Sequence, residues 1–170
     1  MEPLLLGFGS NLGDRAAALS AALRSLMQVP GLRLVARSSL YETEPVSAVP
    51  QGDFLNACAL FECTLPPQIV MAHLQGLEAR HGRTRSQPGA ARTLDLDLLL
   101  HGARTLATPS LMVPHPRMCE RGFVLIPAVE IAPDLVHPQR ALTLRQLRDL
   151  LPTECGVQRF GDWAGAEAVG

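Results

Sequence analysis

The chain has 170 residues, 47% of them hydrophobic and 18% charged, enough for one domain with a sizeable core. Its net charge of −1 excludes a global pull toward nucleic acid or membrane, so any polyanion site must be local. All fifteen basic residues are arginine, which excludes a P-loop lysine, a Schiff-base lysine and a lysine general base.

Residues 4–9 read as a first strand. The apolar run Leu4-Leu5-Leu6 follows Glu2 rather than a basic region and is too short for a signal peptide or a membrane span. A helix follows, with Leu12, Ala16, Leu19, Leu23, Leu26 and Met27 near the 3.6-residue period, capped by Ser10, Asn11 or Asp14 and ended by Pro30-Gly31. Gly7, Gly9 and Gly13 are spaced G-x-G-x-x-x-G, one residue too long for a dinucleotide fingerprint. Tight turns at the sheet edge, beside a ligand, are the expectation for them.

Leu32 to Tyr41 alternates as one strand, and Phe54 to Thr64 forms another that can pair with it as a long hairpin. Between them lies a loop, Thr43 to Asp53, with Pro45, Pro50 and Gly52. Cys58 and Cys63 stand an odd number of residues apart and should face opposite sides of their strand. With Cys119 and Cys155 they show no C-x-x-C spacing, so buried thiols in a reducing cytoplasm are expected. A second helix starts at Pro66-Pro67 and runs to about Arg80, with Ile69, Val70, His73, Leu74 and Leu77 on its apolar face. Gln75 and Glu78, one helical step apart, should both face outward.

An arginine-rich stretch from Arg80 to Arg92 then leads into Arg92-Thr93-Leu94-Asp95-Leu96-Asp97-Leu98-Leu99-Leu100. As a strand, this segment puts Leu94, Leu96 and Leu98 on one face and Asp95 and Asp97 on the other, their stems roughly 6.5 Å apart. Leu99 and Leu100 break the alternation, as a strand buried on both faces does. Two carboxylates so placed suit hard cations, although an Asp-x-Asp can also be a solvated sheet face. Arginines beside such a pair match a triphosphate bound with metal. Beyond a turn at Gly102, residues 127–133 look irregular or weakly helical, a short helix spans about Thr143 to Leu151, and the segment 163–170, with Trp163, reads as a loose tail after a single domain at 1–162.

Gly9-Ser10-Asn11, Phe54-Leu55-Asn56-Ala57, Arg83 and Arg85, Arg92-Thr93-Leu94-Asp95-Leu96-Asp97, Val113-Pro114-His115-Pro116, Arg121-Gly122-Phe123 and Glu130-Ile131-Ala132-Pro133 come in one order. In that order the chain resembles the 6-hydroxymethyl-7,8-dihydropterin pyrophosphokinase family of folate biosynthesis. The resemblance implies an α+β fold, a ferredoxin-like antiparallel sheet with helices packed on it, built as a βαββαβ core plus extra C-terminal helices and strands. It implies transfer of pyrophosphate from ATP to the pterin hydroxymethyl group, with AMP released. Asp95 and Asp97 would hold two Mg²⁺ ions. Arg83 and Arg92 would contact phosphate, with Gln75, Glu78, Arg85, Leu98, His115 and Arg121 on the nucleotide side. Phe54 and Phe123 would sandwich the pterin, Asn56 would read its amide edge, and Thr43 and Val46 would meet it through their backbone. On residue type alone the two phenylalanines read more readily as ordinary core residues.

Two departures from the family stand out. Ser86 to Ala91 lacks the tryptophan and extra basic residues usual before Arg92, and Glu44 stands where an uncharged residue is frequent. The expected partners are small molecules, with no nucleic acid and no membrane, acting on a cytoplasmic monomer. Two other readings compete: a metal-dependent nucleotidyl or sugar-nucleotide transferase, which would release pyrophosphate or a nucleoside diphosphate, and a non-catalytic ferredoxin-like binding module.

Overall fold

A computed structural model describes residues 1–45, 48–82, 91–153 and 155–164. Their elements run β1 (Glu2–Ser10), α1 (Arg15–Met27), β2 (Leu32–Arg37), β3 (Leu40–Thr43), β4 (Phe54–Cys63), α2 (Pro67–Arg80) and β5 (Asp95–His101). They continue through β6 (Leu106–Thr108), β7 (Leu111–Val113), α3 (Gly122–Ile131), β8 (Val136–His137), β9 (Leu142–Thr143), α4 (Leu144–Asp149) and β10 (Val157–Gly161). The main sheet is antiparallel in the order β10-β3-β4-β1-β5, with β2 also paired to β4. This is the expected ferredoxin-like βαββαβ arrangement, with two small hairpins, two helices and an extra edge strand appended.

The sheet is apolar on both faces. Leu4, Leu6, Phe8, Leu96 and Leu98 pack under α1 and α2, while Leu5, Cys58, Leu99 and Leu100 pack under α3 and α4. Cys58 and Cys63 fall on opposite faces, as their spacing requires. Leu99 and Leu100 share a face because β5 carries a bulge: Leu5 pairs with Leu100 and Leu6 with Leu98, so Leu99 is the extra residue. Its carbonyl accepts the His115 N–H at 2.9 Å, which fixes the start of the loop carrying that histidine.

The expected single strand from Leu32 to Tyr41 is two strands. Ser38 interrupts it, because its hydroxyl takes the Cys58 N–H at 2.9 Å that a continuous ladder would have given to a carbonyl. Leu12 lies outside α1 and is 51% exposed, and Met27 at the other end is also exposed. On α2, Ile69 and His73 face solvent, whereas Glu78 is buried, because its position falls on the arc of Val70, Leu74 and Leu77. Of the two readings for 127–133, irregular or weakly helical, the structure has the helical one up to Ile131: this is the second half of α3, which tolerates Pro127 inside it. α4 starts one residue late: Thr143 is its N-cap, with Gln146 completing a capping box.

Trp163 is not part of a loose tail. It is buried, donates its indole N–H to the Ser38 carbonyl at 2.7 Å, and meets Phe8 edge-on with centroids 5.4 Å apart. Edge strand β10, which leads into it, was not foreseen from its polar, glycine-flanked sequence.

Candidate active site

A cleft of about 360 Å³ opens on the α3 side of the sheet. Its floor is organised in rows across three strands. Gly9 pairs with Asn56 on one side and Asp95 on the other; Gly7 pairs with Cys58 and Asp97. The glycines do not turn the chain here, contrary to expectation; both lie within the central strand. Their missing side chains leave the space between Asn56 and the carboxylates open. A Cβ on Gly9 would stand 3.3 Å from Asn56 Oδ1 and 3.8 Å from Asp95 Cβ; one on Gly7 would stand 3.6 Å from Asp97 Cβ.

Asp95 and Asp97 are half-buried and line this one cleft, as strand alternation demands. Arg92 Nη1 binds Asp95 Oδ1 at 3.0 Å. Asn11 holds Arg92 in place: it accepts the Arg92 N–H at 2.7 Å and gives its own backbone N–H to the Arg92 carbonyl at 3.0 Å. The Asn11 amide also donates to Gln51 Oε1 at 2.6 Å and to the Gly52 carbonyl at 3.1 Å, tying the opposite loop to the same point.

His115 Nε2 lies 3.8 Å from Asp97 Oδ1, and its Nδ1 accepts the Arg117 N–H at 3.2 Å. Burial lowers its pKa; Arg121 and Arg117 push the same way and Asp95 opposes them. With Nδ1 accepting from Arg117, the ring turns Nε2 toward Asp97. Arg121 also has a lowered pKa, from burial and then Arg117, but a guanidinium stays charged regardless. It stacks over the Phe123 ring at 5.4 Å.

The far end of the cleft is a slot. Phe54, at the start of β4, and Phe123, at the start of α3, are both half-buried and line it, so neither is an ordinary core residue. Asn56 donates to Thr43 Oγ1 at 2.7 Å, which fixes its amide plane.

The structure thus gathers Thr43, Phe54, Asn56, Arg92, Asp95, Asp97, Arg121 and Phe123 around one cleft, with His115 adjoining. Leu98 points the other way, into the core under α1 and α2, so only its backbone is left to meet a ligand. Gln75 is exposed on α2 and Glu78 is buried there; neither lines the cleft. Val46, Arg83, Arg85 and Ser86 to Ala90 lie outside the described residues. Gly7 and Gly9 line the cleft, as a place beside a ligand requires, and Cys58, Gln51, Arg117 and Glu44 add to the lining beyond the expected site residues. Cys58 is placed by strand register, opposite Gly7, whereas Glu44, Gln51 and Arg117 depend on loop packing.

Among the described residues, no group of three or more His, Cys, Asp and Glu side chains can hold a metal alone. Two carboxylates facing an open space still fit Mg²⁺, which keeps waters and takes substrate phosphate oxygens to fill its shell.

A ferredoxin-like sheet bearing paired carboxylates, arginines and two cleft-lining phenylalanines is the architecture of an α+β domain whose cleft suits a phosphorylated ligand beside a planar one. The profile of the 7,8-dihydro-6-hydroxymethylpterin-pyrophosphokinase family matches residues 5–133, and the chain belongs to that family. It is 41% identical over 136 residues to 2-amino-4-hydroxy-6-hydroxymethyldihydropteridine pyrophosphokinase of Methylorubrum extorquens, covering 80% of this chain and 86% of that one. The Pseudomonas aeruginosa protein of the same name is 39% identical over 163 residues, with 94% and 98% covered. The folic acid synthesis protein fol1 of Schizosaccharomyces pombe is 36% identical over 164 residues, covering 96% of this chain and 22% of that longer one. Among solved structures, wild-type Plasmodium falciparum HPPK-DHPS superposes with a TM-score of 0.64 at 13% identity. That match covers 87% of this chain and 44% of the other, so this chain spans less than half of that protein. At that identity the likeness speaks for the fold alone.

Proposed function

We propose that this chain transfers the terminal pyrophosphoryl group of ATP to the hydroxymethyl oxygen of 6-hydroxymethyl-7,8-dihydropterin and releases AMP. The observation that carries the reading is the pair of rows across β4, β1 and β5. They set the Asn56 amide beside two carboxylates with only glycine between, and Phe54, paired with Thr43, and Phe123 on α3 line the same cleft.

In this reading Phe54 and Phe123 hold the pterin ring between them. Asn56, oriented by Thr43, donates and accepts along the ring's amide edge, and the Thr43 and Val46 backbones complete the contact. The slot aims the hydroxymethyl group toward Asp95 and Asp97, which supplies the proximity an in-line displacement requires. Arg92 and Arg121, with Arg83 and Arg85, bind phosphate oxygens through charge-assisted hydrogen bonds and meet the charge that gathers on the departing AMP. His115 turns its Nε2 toward Asp97. Asp95 and Asp97 would hold two Mg²⁺ ions, which when bound offset phosphate charge and acidify the alcohol.

Among the described residues no helix is long and apolar enough to cross a membrane, and all four cysteines are free. We assign the reaction to the cytoplasm, with a monomer acting on small molecules and no nucleic-acid or membrane partner. The test is to mix purified protein, Mg²⁺, ATP and the hydroxymethyl-dihydropterin. AMP formed only when the pterin is present supports the proposal; ADP, or no nucleotide product, refutes it.

A further inference from the structure

The C-terminal strand lies beyond residue 133, where the family match ends. It nevertheless reaches all three segments that carry the slot. In register, Val157 pairs with Thr43. Cys155 and Val157 also back onto Gly122, the residue before Phe123: a Cβ on Gly122 would lie 2.7 Å from Cys155 Sγ, 3.0 Å from Cys155 Cβ and 3.7 Å from Val157 Cγ2. Phe160 covers the guanidinium of Arg15 at 5.6 Å. Arg15 in turn donates to the Asp53 carbonyl at 2.8 Å, next to Phe54, and pairs with Glu42 at 2.8 Å, next to Thr43.

The strand is fixed at its end. Trp163 is buried and hydrogen-bonded to Ser38, in the break between β2 and β3. Arg159 donates to Ser39 Oγ at 3.1 Å. The same Ser39 N–H reaches the Glu130 carboxylate at 3.0 Å, and Ser39 Oγ reaches it at 2.7 Å. Glu130 lies near the end of α3, the helix that carries Phe123 at its start. Both ends of α3 are thus braced by the strand or by its immediate neighbours.

We propose that β10 with Cys155 and Trp163 is a positioning strap for the pterin slot, setting the spacing between Phe54, Thr43 and Phe123, with Arg121, next to Gly122, the phosphate-side group that it adjoins and Arg92, Asp95 and Asp97 standing clear of it. It rests on the reaction proposed above. Asp95, Asp97 and Arg92 belong to β5 and its approach, at the far edge of the sheet from β10, so the two substrates should respond differently.

The test is Gly122→Ala. Carbon contacts ordinarily rest near 3.5–4.0 Å, so the new methyl must displace Cys155 or the start of α3 by about 1 Å. Misplacement on that scale should raise the pterin KM by about tenfold or more and the ATP KM by about threefold at most, because Arg121 adjoins Gly122 whereas Arg92, Asp95 and Asp97 do not. Gly122→Ala with Cys155→Gly removes the colliding atoms and should bring the pterin KM back to within about threefold of wild type. Calorimetry with the pterin and with a non-hydrolysable ATP analogue reads the same split without turnover. An unchanged pterin KM in the folded variant, equal losses for both substrates, or no recovery in the double variant would overturn the proposal. If Gly122→Ala does not fold, Trp163→Phe, which keeps a ring but loses the bond to Ser38, carries the test: about a threefold rise for the pterin alone is expected, and no rise overturns it. A wild type that makes no AMP would refute the reaction instead, and pterin binding across the variants would then decide the strap by itself.

Discussion

Gly9 offers a sharp test of how the cleft works. Its backbone is ordinary strand, so alanine is sterically allowed there, and replacing glycine should stabilise the chain by about 0.4–1 kcal/mol through the unfolded state. The added methyl would meet Asn56 Oδ1 at 3.3 Å, Phe54 Cδ1 at 3.7 Å and Asp95 Cβ at 3.8 Å. Only the first contact is tight, and relieving it takes a few tenths of an ångström. Asn56 cannot simply swing aside, because its amide is held by Thr43 Oγ1 at 2.7 Å. The strain therefore falls on the residue assigned to the pterin edge. Weakening one such hydrogen bond costs about 0.5–1.5 kcal/mol, or roughly two- to tenfold in pterin KM. Gly7→Ala is the contrast: its methyl would meet Leu99 Cδ1 at 3.4 Å and Asp97 Cβ at 3.6 Å rather than Asn56, so any loss should fall on turnover and leave the pterin KM within about twofold. Steady-state kinetics with urea unfolding of both variants checks this. A pterin KM unchanged in Gly9→Ala, or a stability loss beyond about 2 kcal/mol, would refute the reasoning.

Asp97→Asn keeps shape but removes charge, and should lower turnover by about a hundredfold or more with little change in unfolding free energy; near-wild-type turnover would favour a binding module. Trp163→Ala should cost about 3–5 kcal/mol, read as a lower melting temperature, because it empties a packed site against Phe8. Burial, aided by Arg140, lowers the pKa of His137, whose Nδ1 accepts the Gln139 and Arg140 N–H groups at 3.2 Å. A lowered folded pKa means the unfolded chain binds the proton first, so this stability is complete above about pH 6.5 and drains away as pH falls. His101, lowered chiefly by burial, adds to the same trend. Urea titrations at high and low pH should show it, and His137→Asn, which keeps the acceptor and loses the proton site, should flatten the decline.

Much of the site was legible because period-two alternation is a local rule. Once Leu94, Leu96 and Leu98 face a core, Asp95 and Asp97 must share the other face, and the cleft lies there. What escaped depends on contacts distant in sequence. Gly9 looked like a turn because its partners, Asn56 and Asp95, are brought beside it only by pairing. Ser38 split a strand by substituting a side-chain oxygen for a carbonyl, which no alternation pattern reveals. Glu78 looked exposed by composition and is buried by helical phase. Trp163 and β10 sit in a weakly hydrophobic stretch whose order comes from the edge of β3, the Phe8 ring and the Ser38 carbonyl.

The central claim is that an intact pyrophosphoryl group moves from ATP to the pterin. ATP labelled at the β-phosphorus, incubated with the chain, Mg²⁺ and hydroxymethyl-dihydropterin, tests it directly. The label should appear in the pterin diphosphate ester, with AMP left unlabelled. Label recovered in ADP or in free pyrophosphate would contradict it.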